Sequence, residues 1–65
     1  MNYKIIVHIN DGSKIEIPAH YEKEYELWSN IISIGNNGLL QKDKLEYFPS
    51  HRIDKIDVEE IKRHE

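Results

Sequence analysis

Residues 3–18 read YKIIVHINDGSKIEIP and decide the fold of this chain. Two runs that alternate aliphatic and polar residues flank Asn10-Asp11-Gly12, a combination typical of a β-hairpin. A two-residue loop would place Val7 opposite Glu16 and mix charged with aliphatic side chains on one face. A three-residue loop, with its glycine in the left-handed position of a bulged type I turn, pairs Val7 with Ile15. We therefore predict the three-residue loop.

This register predicts two faces for the hairpin. The predicted buried face holds Tyr3, Ile5, Val7, Ile9, Ile15 and Ile17. The other face holds Lys4, Ile6, His8, Lys14 and Glu16. Because Pro18 cannot donate a hydrogen bond to a neighbouring strand, we predict that the second strand ends there.

The apolar period changes from two to between three and four after the proline, which predicts a helix from near His20 to Gly35. The expected apolar stripe consists of Tyr21, Tyr25, Trp28 and Ile32, broadened by Leu27, Ile31 and Ile34. At helical spacing such a stripe is typical of a core, so we predict that Trp28 is its largest single contributor.

Shorter elements follow the helix. We predict a short strand that begins at Leu39–Leu40, a turn at Lys42–Lys44 and a second alternating run at Leu45–Phe48 that Pro49 ends. We further predict a kink at Ser50–Arg52 and a final strand through Ile53, Ile56 and Val58, with a bulge or a bent entry at Ile53. We expect the tail over 59–65 to fray or to add one helical turn.

Together these elements predict a single α+β domain over residues 1–65. Its order is ββαββ, and one helix packs on one face of a mostly antiparallel sheet. An alternative makes residues 31–34 and 39–41 a second hairpin, which gives a small five-stranded β-barrel of the SH3 or Sm type.

Composition limits the function classes. A chain of 65 residues has room for one small core. It has no cysteine, which removes disulfides and thiolate metal sites and favours a reducing, cytoplasmic location. The sequence shows neither a signal peptide nor an apolar stretch long enough for a bilayer, so we expect no membrane association. A net charge of -3, spread along the chain, argues against a surface that follows nucleic-acid phosphates.

Chemistry-bearing residues are present without the patterns that catalysis or metal binding needs. The four histidines, His8, His20, His51 and His64, share no metal-ligand spacing. Ser50, His51 and Asp54 lie together in a kink, whereas catalytic triads are assembled across a fold that also supplies an oxyanion hole. We therefore predict no catalytic residues, no metal, no cofactor and no enzymatic activity.

By subtraction, we predict a non-enzymatic module that binds another protein. Ile6 is the only aliphatic residue on the outer hairpin face, and Phe48 alternates away from Leu45 and Tyr47. The predicted partner-binding residues are Ile6, His8, Lys14 and Glu16 on the open sheet face, with Phe48, His51 and Arg52 at the kink. We also predict a homodimer, because a small core gains from a dimer contact and sheet edges accept added strands.

A second hypothesis is a small nucleic-acid-binding domain. Arg52 and Lys55 lie close in sequence to Tyr47 and Phe48, and basic side chains interleaved with aromatic ones bind single strands. The balanced charge of the chain counts against nucleic acid as the partner.

The overall layout adds a resemblance. The chain is rich in Ile, Lys, Asn and Tyr, it opens with a hairpin around Asn10-Asp11-Gly12, and residues 47–56 read YFPSHRIDKI. In this layout it resembles small uncharacterised proteins of phages and mobile elements in low-GC Gram-positive bacteria. The resemblance implies an accessory protein that binds and modulates a host or phage macromolecule, and it implies no particular site residues.

Overall fold

A computed structural model describes residues 2–41 and 44–61. The elements in chain order are β1 (Asn2–Ile9), β2 (Lys14–His20), α1 (Glu24–Asn37), β3 (Leu39–Gln41), β4 (Glu46–Phe48), a 3-10 turn (Ser50–Arg52) and β5 (Ile53–Ile61). Strands β2, β1 and β5 form an antiparallel sheet in that order, and β3 pairs with β4 in a separate short ribbon. The predicted α+β class is confirmed. The barrel alternative is wrong, because residues 31–34 lie in α1.

The opening hairpin has the predicted register. Val7 lies opposite Ile15, and Ile5 lies opposite Ile17. The Ile9 amide donates to the Ser13 carbonyl at 2.9 Å, which leaves a three-residue loop. The loop glycine has a φ of 94°, a conformation that costs glycine little and other residues more. The three-residue loop, with its glycine at a positive φ, and the alternation of side chains along each strand therefore determine the face on which each hairpin residue lies.

The core lies on the inner face of the sheet, where α1 packs. Its buried members are Tyr3, Ile5, Val7, Ile9, Leu27, Ile34 and Leu39. Strand β1 is central, so its inward side chains are covered by β2, β5 and α1 together. Burying one aliphatic side chain of this size contributes roughly 1.5–3 kcal/mol. The core therefore depends mainly on β1 and two helix residues.

Pro18 does not end the second strand as predicted, because β2 continues to His20. The bond between Ile9 and Ser13 fixes which backbone groups of β2 point at β1, and alternation makes Pro18 face away from it. Since β2 is an edge strand, the missing N–H lies on the solvent side and no ladder bond is lost. The helix consequently begins at Glu24 instead of near His20.

The predicted core stripe of the helix is confirmed at Leu27, Ile31 and Ile34 and wrong at the three residues that the prediction put at its centre. Leu27 and Ile34 are buried, whereas Tyr25, Trp28 and Ile32 are 66%, 49% and 61% exposed. The predicted stripe required a helix that already included Tyr21, but that residue precedes α1 and packs against Tyr3 with ring centroids 6.4 Å apart. Leu27 and Ile34 face the sheet, so Tyr25, Trp28 and Ile32 face solvent.

The helix also extends past its predicted end at Gly35 and ends at Asn37. Gly38, not Gly35, follows its last turn, and the Gly38 amide donates to the Ile34 carbonyl at 2.8 Å. Gly38 has a φ of 91°, and a Cβ at this position would collide with the carbonyl oxygen of Phe48. Only glycine satisfies both conditions, so this residue fixes how closely the β3–β4 ribbon approaches the helix end.

The closing part of the chain matches its predictions in some places. The bulge is confirmed, because the β1–β5 register shifts where Ile9 faces Ile53. Leu45 lies in a turn with a φ of 53° and is 90% exposed. Strand β4 therefore begins at Glu46, one residue after the predicted start at Leu45. The predicted turn at Lys42–Lys44 falls largely on residues 42–43, outside the described part. Residues 59–61 belong to β5, not to a helical turn, and 62–65 lie outside the described residues.

Candidate protein-interaction surfaces

Four of the predicted partner-binding residues lie together on the outer face of the three-stranded sheet. Strand β5 lies on the free side of β1 and adds its own charged residues to this face. We define the outer sheet face by Lys4, Ile6, His8, Lys14, Glu16, Lys55, Asp57 and Glu59. The face therefore carries three lysines against three carboxylates.

Opposite charges on the outer sheet face pair with one another. Lys4 Nζ lies 2.9 Å from Glu16 Oε1, and His8 Nε2 lies 2.8 Å from Asp57 Oδ2. The hydrogen bond from Lys4 lowers the pKa of Glu16, and the one from His8 lowers the pKa of Asp57. Lys55 Nζ adds a longer contact of 3.7 Å to Asp57. These side chains are solvated, so each pair contributes little to stability.

Ile6 lies at the centre of this charged lattice. Its cross-strand neighbours are Glu16 on β2 and Asp57 on β5, and the isoleucine itself is half-buried. A half-buried aliphatic side chain between two carboxylates is a weak anchor for a partner. Sequence reasoning placed His8 opposite Lys14 alone, because nothing in the hairpin indicates that β5 brings an aspartate to its other side.

The remaining predicted partner-binding residues lie elsewhere. Phe48 is half-buried and packs against the core, so it does not form one apolar surface with Ile6. His51 is exposed on the 3-10 turn. The Arg52 carbonyl accepts the Asn10 amide at 2.8 Å, and its guanidinium lies 3.9 Å from Asp11. The kink thus holds the hairpin loop in place.

The residues behind the nucleic-acid hypothesis do not share a surface. Phe48 faces the core, Lys55 lies on the outer sheet face, and the Tyr47 hydroxyl donates to the Asn37 carbonyl at 2.6 Å. Without aromatic rings and cations along one groove, a stacking platform for bases is not formed by this set.

Sequence reasoning missed the most exposed apolar feature of the helix. Tyr25, Trp28 and Ile32 recur at i, i+3 and i+7 on one side of α1, and we call them the helix stripe. The indole Nε1 of Trp28 donates to Glu24 Oε1 at 3.2 Å, which orients the ring along the helix. The spacing is visible in the sequence, but an apolar pattern does not show whether its face is buried or exposed. The sequence therefore predicts a core position for these three residues.

A shallow groove of about 250 Å³ runs beside the helix stripe between α1 and β5. Its lining residues are Tyr3, Glu24, Leu27, Trp28, Val58 and Glu60. Burial, followed by the negative charges of Glu60 and Glu24, raises the pKa of the Tyr3 phenol. The stripe is therefore bordered on the sheet side by carboxylates.

A second exposed apolar group lies on the β3–β4 ribbon. Leu40 and Tyr47 face each other across the two strands, and both are more than half exposed. The Tyr47 hydroxyl is held by the helix end, so this pair is a fixed part of the ribbon. The group offers two side chains on a three-residue strand pair, a smaller surface than the helix stripe.

Other site types find no support in the described ranges. Over residues 2–41 and 44–61, no three histidine, aspartate or glutamate side chains converge as metal ligands. In the same ranges, no helix has the length and apolar character to cross a membrane. No known protein family, curated protein or solved structure matches the chain.

Proposed function

We propose that this chain is a non-enzymatic protein-binding module that docks its helix stripe into an apolar groove of a partner protein. The observation that carries the proposal is the exposure of Tyr25, Trp28 and Ile32 at i, i+3 and i+7. An exposed helix with apolar anchors at this spacing is the recognition element of helix-in-groove complexes. Tyrosine and tryptophan are also the residues enriched among interface hot spots.

The size of the stripe supports an anchoring role. The exposed parts of the three side chains amount to roughly 300–400 Å², which is the size at which apolar surface patches are often functional. Burying that area corresponds to roughly 8–10 kcal/mol before association costs of about 4–15 kcal/mol. The stripe can therefore anchor a complex, and contacts at its rim must supply the remainder.

The charges around the stripe describe the rim of the partner. Glu24 and Glu26 lie in the first turn of α1, and the last turn has no basic residue. Glu60 adds a further carboxylate from β5. Lys23 Nζ lies 5.9 Å from the centre of the Tyr25 ring, so the lysine or arginine residues of a complementary groove lie opposite Glu24 and Glu60. The floor of that groove is apolar.

Affinity capture from a bacterial lysate with matched variants tests this proposal. The bait variant Tyr25→Ser/Ile32→Ser removes two exposed side chains of the stripe, and the control Leu40→Ser/Leu45→Ser removes two exposed side chains of the ribbon. Circular dichroism confirms that both remain folded. We expect a prey that the wild type and the control retain and the stripe variant loses. Its purified form should bind the stripe variant at least tenfold more weakly by calorimetry.

Two outcomes contradict the proposal. The first is a set of preys that is the same for all three baits. The second is a prey that the stripe variant retains and a Lys14→Glu bait loses, which would locate the partner on the outer sheet face. The accessory role in a phage or mobile element that the resemblance implies stays a prediction, and the identity of a prey would bear on it.

A further inference from the structure

The two edges of the three-stranded sheet differ in their ability to accept another strand. On the β2 edge, Pro18 removes one outward N–H, and prolines of this kind protect natural sheet edges. The β5 edge is nine residues long and contains neither proline nor glycine between Ile53 and Ile61. In the part of the chain that the structure describes, no strand pairs with this edge. Unlike the β2 edge, the β5 edge therefore keeps every outward N–H group, although it carries charged side chains.

The backbone groups available on the β5 edge follow from the hairpin. Ile9 directs both its N–H and its carbonyl to the β2 side of β1, at 2.9 Å from Ser13 and 3.0 Å from Gly12. Alternate residues of β1 therefore face β5, and they bond to Lys55, Asp57 and Glu59. The N–H and carbonyl groups of the residues that alternate with these, Ile56, Val58 and Glu60, point away from β1.

A second copy of this chain complements that edge. When two β5 strands pair antiparallel about a two-fold axis at Ile56, the isoleucines meet and Lys55 of each copy faces Asp57 of the other. Opposite charges that lie directly across an antiparallel pair stabilise it, and like charges destabilise it. This register joins two three-stranded sheets into one sheet of six strands and keeps all core faces on the same side.

Like charges disfavour the neighbouring registers. A two-residue shift that centres the axis on Asp57 sets Lys55 against Glu59, but it also brings the two copies of Asp57 together and sets Asp54 against Glu60. A shift that centres the axis on Val58 sets Asp57 against Glu59. Odd shifts turn the core face of one copy to the outside of the other, because side chains alternate along a strand. The register at Ile56 is the one that combines opposite charges with an aliphatic centre.

We propose that this protein forms a homodimer in which two β5 strands pair antiparallel about Ile56, with reciprocal Lys55–Asp57 pairs on the outer sheet face. The dimer does not rest on the binding function proposed for the helix stripe. Its strand joint buries less than the roughly 800 Å² per partner of standard interfaces, so we expect a dissociation constant on the order of 10–100 µM.

Sedimentation equilibrium with a charge exchange tests the dimer. The wild type should dimerise at low salt and pH 8, at protein concentrations of about 10–500 µM, a range that spans the expected dissociation constant. Lys55→Asp and Asp57→Lys should each weaken the dimer about tenfold or more, since each sets like charges opposite one another. The double variant Lys55→Asp/Asp57→Lys should restore dimerisation. A wild type that stays monomeric, or a double variant no better than the single ones, overturns the proposal.

Amide hydrogen exchange measured by NMR gives a second readout that does not depend on a variant. The amides of Lys55, Asp57 and Glu59 bond within one copy and should be protected at every concentration. The amides of Ile56 and Val58 should exchange freely in dilute protein and become protected as concentration rises. Equal protection of all five amides at low concentration, or no change with concentration at Ile56 and Val58, contradicts pairing through this edge.

Discussion

Leu27 and Ile32 lie on opposite sides of α1, and truncating each to alanine distinguishes the inward face from the outward one. Leu27 is 2% exposed, and Leu27→Ala removes three carbon atoms that are out of water. At about 0.8 kcal/mol per buried methylene the transfer loss is about 2.4 kcal/mol, and the cavity left behind raises the total to about 3–4 kcal/mol. A domain of this size rarely has more than about 3–5 kcal/mol of stability, so Leu27→Ala should leave much of the protein unfolded at 25 °C.

Ile32→Ala is the matched control. Because Ile32 is 61% exposed, the same truncation removes only about 1 kcal/mol of burial, and the higher helix propensity of alanine offsets about 0.4 kcal/mol of it. The two free energies of unfolding, measured by urea titration with circular dichroism, should therefore differ by more than about 2 kcal/mol. An Ile32→Ala protein that is as unstable as Leu27→Ala would refute the orientation of the helix.

Three further predictions concern the backbone and the charges. Gly35 lies within the helix with open space around it, so Gly35→Ala should raise the free energy of unfolding by about 0.5–1 kcal/mol. Gly38 has a φ of 91° and lies beside the Phe48 carbonyl, so Gly38→Ala should lower the free energy of unfolding by more than about 2 kcal/mol. Thermal melts of both variants test this order, and the reverse order would contradict the described helix end. The hydrogen bond with His8 is the main cause that lowers the folded-state pKa of Asp57. The stability that Asp57 contributes is therefore present above its unfolded-state pKa and is lost as pH falls through its folded-state pKa. In urea titrations from pH 6 to pH 2, which bracket the usual carboxyl pKa of about 4, the free energy of unfolding should fall less for Asp57→Asn than for the wild type. Pro18→Ala should cost at most about 1 kcal/mol in the same titration, because no ladder bond changes, and a larger loss would mean that Pro18 does not face the edge.

The hairpin could be predicted because a single constraint decided it. Only one loop length places Val7 opposite Ile15 and keeps the charged residues on the other face, and a glycine stands where that loop needs a positive φ. Local sequence therefore held all the information that the hairpin required.

The inward face of the helix could not be predicted in the same way. Residues 25–34 carry two apolar groups on opposite sides of the helix, Leu27 with Ile34 and Trp28 with its stripe partners. Both groups have helical spacing, so periodicity identifies each as apolar and does not indicate which one faces the sheet. That choice depends on how the helix packs against the sheet, which no local pattern encodes.

The outer sheet face was predicted in part. The side of each hairpin residue follows from alternation, so Ile6, His8, Lys14 and Glu16 share a surface as predicted. The pairing of His8 with Asp57 depends on a contact 49 residues away, which no local pattern encodes. The charged character of the outer sheet face depends on the strand order, which puts β5 and its charged residues beside β1.

Trp28 is the only tryptophan of the chain, so quenching of its fluorescence by acrylamide reports the helix stripe without interference. Because Trp28 is 49% exposed, acrylamide should quench the fluorescence of the folded protein without prior unfolding. A folded protein whose fluorescence resists acrylamide until the chain unfolds would mean that Trp28 lies in the core, and the helix stripe would then be unable to bind a partner.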